Sequence, residues 1–129
     1  MNYKNVIRAN AELIVTLRQR IGETGAKRDE SDEHWQQWLA ACSDFRDSYN
    51  RLAFLGGVDS ARARIRSGDP SAIEYALDFI ELRPFFFRSG YMYNDFMRVL
   101  RNCPMSETQT KRYNVIREKY DQYRKRRKS

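Results

Sequence analysis

Histidine is almost absent from this sequence: His34 is the only one in 129 residues. Catalysis near neutral pH usually draws on a histidine, paired carboxylates or a metal, so most of the chain lacks the commonest proton carrier. His34 follows Asp32-Glu33, with no H-E-x-x-H and no second His or Cys at ligand spacing, which fits a surface side chain near a helix start and argues against zinc. Cysteine is nearly as scarce. Cys42 and Cys103 lie far apart with no C-x-x-C, pointing to a thiol-reducing compartment and to two buried, poorly reactive thiols on apolar stripes. There is no G-x-G-x-x-G, no G-x-x-x-x-G-K-S/T and no G-x-S-x-G. Asp44 with Asp47, and Asp78 with Glu81, are spaced to share a helix face, but such acidic pairs are common on any helix. The expectation is a protein that is not an enzyme and uses no metal or cofactor. Long hydrophobic runs are missing as well: "MNYKNVIRANAELIVTLRQR" has no continuous apolar segment, and charges interrupt every later one. No export signal and no membrane span are expected, and the cytoplasm is the simplest location.

An excess of one charge sign is also missing from most of the chain. Residues 1–106 hold 15 basic and 14 acidic side chains, whereas residues 107–129 hold nine basic and three acidic ones. Nearly all of the formal +7 therefore sits on the last segment, chiefly in "RKRRK", Arg124 to Lys128. The high isoelectric point describes a tail rather than a basic domain.

What is abundant is apolar residues at helical spacing, with no alternating window long enough for a strand. The reading is all-α: one compact bundle or irregular helical stack of five to seven helices, with residues 1–123 as the domain and 124–129 as a basic tail. A first helix over about 3–21 carries Val6, Leu13, Leu17 and Ile21 as its stripe, with Ile7 and Ile14 beside it, and stops at Gly22. Ser31 is the expected N-cap of a second helix to about Leu55, whose stripe is Trp35, Trp38, Cys42, Phe45, Tyr49 and Leu52. Gly56-Gly57 ends it. A short helix over 59–67 closes at Gly68, and Asp69-Pro70 opens the next, with Ile73, Ala76, Leu77 and Ile80 inward. Pro84 forces Arg83 out of helical geometry. Met92, Phe96, Val99, Leu100 and Cys103 form the following stripe, and Pro104 ends it. Ser106 with Gln109 is a capping-box pattern opening a last helix with Tyr113, Ile116, Tyr120 and Tyr123 on one side.

The stretch "LRPFFFRSGYMYNDFMRVLRNCP" threads aromatics with arginines. A stacking platform needs exposed rings along a groove, usually on a sheet, so core is the favoured reading for Phe85, Phe86 and Phe87. Arg83 and Arg88 are placed to cap carbonyls or pair with Asp78, Glu81 or Asp95, while Arg98 and Arg101 share a face. These four arginines are also the candidate partner-binding residues.

The run "FFFRSGYMYNDFMRVLRNCPMSETQ" resembles a pattern in small bacterial helical proteins of unassigned activity, in which Phe-Arg-Ser-Gly-Tyr precedes a Leu/Arg helix, a Pro and a Ser-x-x-Gln start. The matching residues are Phe87, Arg88, Ser89, Gly90, Tyr91, Arg98, Leu100, Pro104, Ser106 and Gln109. The resemblance implies a bacterial, all-helical interaction module and supplies no catalytic residues.

Two functions compete. The first is a non-enzymatic protein-binding module of the immunity, antitoxin or inhibitor type, whose partner is another protein. The second is nucleic-acid binding, RNA or ribosome, through the C-terminal helix. Lys111, Arg112, Arg117, Lys119, Arg124, Lys125, Arg126, Arg127 and Lys128 would there contact phosphates. A solvated helix end, where cations favour the dipole, is the plain alternative for the tail.

Overall fold

Each helix begins and ends where local chemistry allows. The structure is a computed structural model describing residues 2–128, with side chains to residue 127. Its elements are α1 (Lys4–Gly25), α2 (Asp32–Ala53), a 3-10 turn (Val58–Ser60), α3 (Ala61–Arg66), α4 (Pro70–Leu82), α5 (Ser89–Leu100) and α6 (Glu107–Lys128). The described residues contain no strand, and the all-α reading holds. Ser31 caps α2 by accepting a hydrogen bond from the His34 amide at 3.1 Å. Asp69 caps α4 by accepting from the Ser71 and Ala72 amides. Ser106 and Gln109 form a reciprocal capping box at 3.0 and 3.1 Å. Gly56 and Gly57 turn the chain after α2 at φ +78° and +103°, a region side chains avoid.

The core is organised around α4, which buries Ala72, Ile73 and every residue from Tyr75 to Ile80. A helix apolar on nearly all sides must be enclosed. α1 and α2 form an antiparallel hairpin against one side of it, and α3, α5 and α6 enclose the rest. Phe54, just past α2, is fully buried between Tyr75 and Phe96, with ring centroids at 4.6 and 5.2 Å.

Several expectations require correction. α1 does not stop at Gly22; it continues to Gly25, since Gly22 keeps helical geometry and Gly25 packs beside Trp38. Its inward face is Ile7, Ala11 and Ile14, whereas Val6 and Leu13 stay 47% and 51% exposed. The two stripes lie side by side on the helix, and its packing against α2 and α4 decides between them. On α2 the fully buried residues are Ala41, Leu52 and Ala53. Trp35 is exposed, Trp38 and Phe45 only half-buried, and Cys42 likewise, because the outer half of the hairpin has no third layer over it. Cys103 is also half-buried rather than enclosed, and that burial raises its thiol pKa. Ser89-Gly90 opens α5, and residues 83–88 are non-helical.

No helix among the described residues is long and apolar enough to cross a membrane.

Phe96 is 2% exposed and packs on Phe54 and Phe79, so Phe96→Ala is expected to cost about 3–5 kcal/mol. Leu13→Ala, on the exposed stripe, is expected to cost less than about 1 kcal/mol. Urea midpoints of the two variants check the pair; comparable losses would mean that the hairpin packs by its Leu13 face.

Candidate functional site

The segment between α4 and α5 is held in an unusual path. Arg83 and Arg88, at its two ends, both have positive φ, +54° and +67°. A side chain in that region costs on the order of 1 kcal/mol, so surrounding contacts must impose it. The Arg83 amide closes α4 by bonding the Phe79 carbonyl at 2.8 Å, just before Pro84. Phe86 is buried against Phe79 and Tyr49, and its amide donates to Ser89 Oγ at 3.0 Å. Phe87 is half-buried beside Phe45 and Tyr49, with the Arg18 guanidinium 4.0 Å from its ring centroid. Tyr49 donates its hydroxyl to the Phe87 carbonyl at 2.8 Å. Phe85 alone points away and is 88% exposed. The core reading is thus right for Phe86, half right for Phe87 and wrong for Phe85, because the segment is a clamped turn that sends successive rings to different sides.

The solvent face of α5 carries Tyr91, Asn94, Arg98 and Arg101 at steps of three and four, so one side of the helix presents them together. α6 packs principally on α4 and reaches α5 through long side chains. Tyr113 donates to the Met97 carbonyl at 2.6 Å, and the Tyr93 and Tyr120 rings lie 5.7 Å apart. A groove therefore runs between the two helices, with Met97, Tyr113 and Tyr120 in its lining. Asn94 lines four adjoining depressions of about 400 to 570 Å³, which makes them one continuous surface centred on α5.

Eight arginines and two carboxylates line this surface. One carboxylate, Asp95, is held by both nitrogens of the Arg62 fork at 2.6 and 3.2 Å. The other, Asp121, is 3.9 Å from Arg117, too long for a strong bond. Arg98 and Arg101 have no acidic partner among the described residues. Arg83 stacks over Tyr93 at 4.5 Å and Tyr123 at 5.5 Å, Arg124 over Tyr120 and Arg127 over Tyr123. Rings cover the guanidinium faces and leave the N–H edges free for carboxylate or phosphate oxygens. Burial raises the Tyr93 pKa further above the ordinary phenol value, and the neutral ring beneath Arg83 cancels none of its charge.

Arginines expected to do separate jobs are brought together here. Arg83, Arg98 and Arg101 from the body share the surface with Arg117, Arg124 and Arg127 from α6, and Arg88 stands at its edge beside Phe87. The expected pairing of Arg83 and Arg88 with Asp78, Glu81 or Asp95 does not occur, since other cations hold those acids. Arg112 is no phosphate contact: its guanidinium meets Asp78 at 2.5 Å, Glu81 at 3.2 Å and Glu74 at 3.4 Å. Lys111 pairs with Glu107 at 3.3 Å, and Lys119, Lys125 and Arg126 are exposed on α6 outside these depressions. The Lys128 side chain and Ser129 lie outside the described residues. Asn94, Tyr91 and the tyrosine floor were missed in the sequence; projecting α5 as a helix from Ser89 would have revealed the row from Tyr91 to Arg101.

The other polar constellations take part in helix capping and ion pairs. His34 Nδ1 lies 2.6 Å from the capping Ser31 Oγ. No group of three or more His, Cys, Asp or Glu among the described residues is arranged to hold a metal. Asp78 is 2% exposed and accepts from both Arg112 and the Tyr3 amide, the latter at 2.7 Å. Lys4 pairs with Glu81, and that bond, followed by those from Arg112, holds the Glu81 carboxyl below its usual 4.5. Burial works against the Arg112 charge, but Asp78 and Glu81 outweigh it and raise its pKa.

Removing one partner of a buried ion pair strands the other, so Arg112→Met is expected to cost at least about 2 kcal/mol. Glu81 titrates lower when folded, so its contribution is complete above the unfolded carboxylate range and fades as pH falls through the folded value. Glu81→Gln should flatten the loss of stability between about pH 5 and pH 3. Urea midpoints against pH provide the check; parallel curves for both proteins would mean that Glu81 carries no such linkage.

No family model, curated protein or solved structure matches this chain.

Proposed function

We propose that this protein is a non-enzymatic binding module that docks an anionic macromolecule on the surface centred on α5. One observation carries the reading: arginines distant in sequence converge on one face whose two carboxylates leave most of them unneutralised. Scattered surface cations need no such explanation, but a concentrated field of one sign raises the local concentration of an opposite-sign partner and speeds association. Both kinds of partner weighed from the sequence fit in charge: an acidic protein, as for an immunity or inhibitor-type module, and a nucleic acid. The resemblance around Phe87 to Tyr91 also implies an interaction module, and those residues form the edge of this face.

The test is a comparison at equal net charge. Arg98, Arg101, Arg117 and Arg124 are changed together to Gln in one protein, and Arg8, Lys27, Arg46 and Arg66, all exposed elsewhere, in another. The first variant is expected to elute from immobilised heparin at clearly lower salt than the second, with both retaining the parental circular dichroism. Equal elution would show that only total charge matters and would remove the α5 surface as a site.

A further inference from the structure

We infer that the occupant of the α5–α6 groove is a single-stranded nucleic acid, its phosphates on the groove arginines and its unpaired bases against Phe85 and Tyr91. The inference rests on the α5 surface being the binding face and adds what binds there.

Three features select this ligand. The first is where charge sits. In protein–protein interfaces the buried centre is depleted in charged residues, while the polar groups lie at the rim. Here charge is not confined to a rim: Arg98, Arg117 and Arg124 line the depression between α5 and α6, and the large exposed apolar side chains, Phe85 and Tyr91, line the neighbouring one. A backbone of phosphates with bases to one side matches that arrangement, and an acidic protein patch does not. The second is the state of the rings. Phe85 is 88% and Tyr91 79% exposed, and neither touches another ring or a guanidinium among the described residues. The tyrosines of the groove floor, by contrast, already carry stacked arginines. Two bare aromatic faces next to a cationic groove are what stacking on unpaired bases requires.

The third feature argues against base reading in a duplex. A recognition helix reads paired DNA by projecting into the major groove. α5 cannot project, because the clamped 83–88 segment flanks one side and α6 the other, so its arginines line a depression instead of a crest. From Arg101 to Tyr91 the helix rises about 15 Å, enough for a short run of extended strand. The turn matters here as well: Phe86 and Phe87 are anchored inward, and the positive φ at Arg83 and Arg88 fixes the stretch between them, so Phe85 is presented without a large ordering cost on binding.

Fluorescent oligo-uridine and oligo-deoxythymidine of about ten nucleotides, a duplex of equal length and labelled poly-glutamate are titrated against the full chain across a salt series. Both single strands are expected to bind, and the duplex more weakly. Arg98→Gln, Arg117→Gln and Arg124→Gln in one protein should lower the slope of log affinity against log salt by about two, at about 0.7 per lost phosphate contact. Phe85→Ala with Tyr91→Ala should weaken binding by about tenfold or more while leaving that slope unchanged. All five residues lie on the surface, and circular dichroism confirms folding of each variant. A duplex bound as tightly as the single strands, an unchanged salt slope, or no effect of the two ring deletions overturns the inference. Poly-glutamate binding that depends on the three arginines, without oligonucleotide binding, overturns it while leaving the α5 surface standing as a protein-docking face. No binding of either polyanion overturns both.

Discussion

Asp78 lies near the middle of the most enclosed helix in the molecule, where an unpaired carboxylate would cost several kcal/mol. It is accommodated because two chain segments remote from it supply donors: the Tyr3 amide at the start of α1 and the Arg112 guanidinium on α6. Glu74 and Glu81, a turn before and after on α4, complete the ring around Arg112, and Lys4 joins through Glu81. Position 112 must therefore face α4, which sets the rotation of α6 about its own axis. Arg117, Tyr120 and Arg124 consequently turn toward α5. The buried pair thus orients the candidate site without belonging to it.

A similar division of labour shapes the segment between α4 and α5. The inward rings of Phe86 and Phe87, together with the Tyr49 and Ser89 hydrogen bonds, hold two arginines in a backbone region normally left to glycine. Core packing is spent to fix a surface. The outer half of the α1–α2 hairpin shows the opposite arrangement: Trp35 and Leu39 are partly exposed there simply because no third helix covers them.

Charge was the property that totals described least well. A nearly even balance over residues 1–106 suggests a neutral body with a basic tail, yet neutrality in sum says nothing about neighbours. Several acids of the body are held in pairs at the α1–α4–α6 junction and between Arg62 and Asp95. Arg83, Arg98 and Arg101 are left over, and they stand beside the excess carried by α6. Counting by segment hid a field that forms only when segments from both sides of the count are folded together.

Most of the helical framework was legible in the sequence because capping and periodicity act within a few residues. Ser31, Asp69-Pro70 and Ser106 with Gln109 start their helices through side chains that reach amides two or three positions away, and Gly56-Gly57 ends one through its own backbone freedom. Ile73, Ala76, Leu77 and Ile80 were placed correctly for the same reason, since a helix apolar all round leaves no choice of face. Where a helix offered two adjacent apolar stripes, as α1 does with Val6–Leu13 and Ile7–Ile14, its packing against α2 and α4 chose between them. The fate of Phe85 and the pairing of Arg83, Arg88 and Arg112 were likewise decided only in three dimensions. Each depends on which distant group arrives first at hydrogen-bonding or van der Waals distance, a quantity that spacing along the chain does not contain.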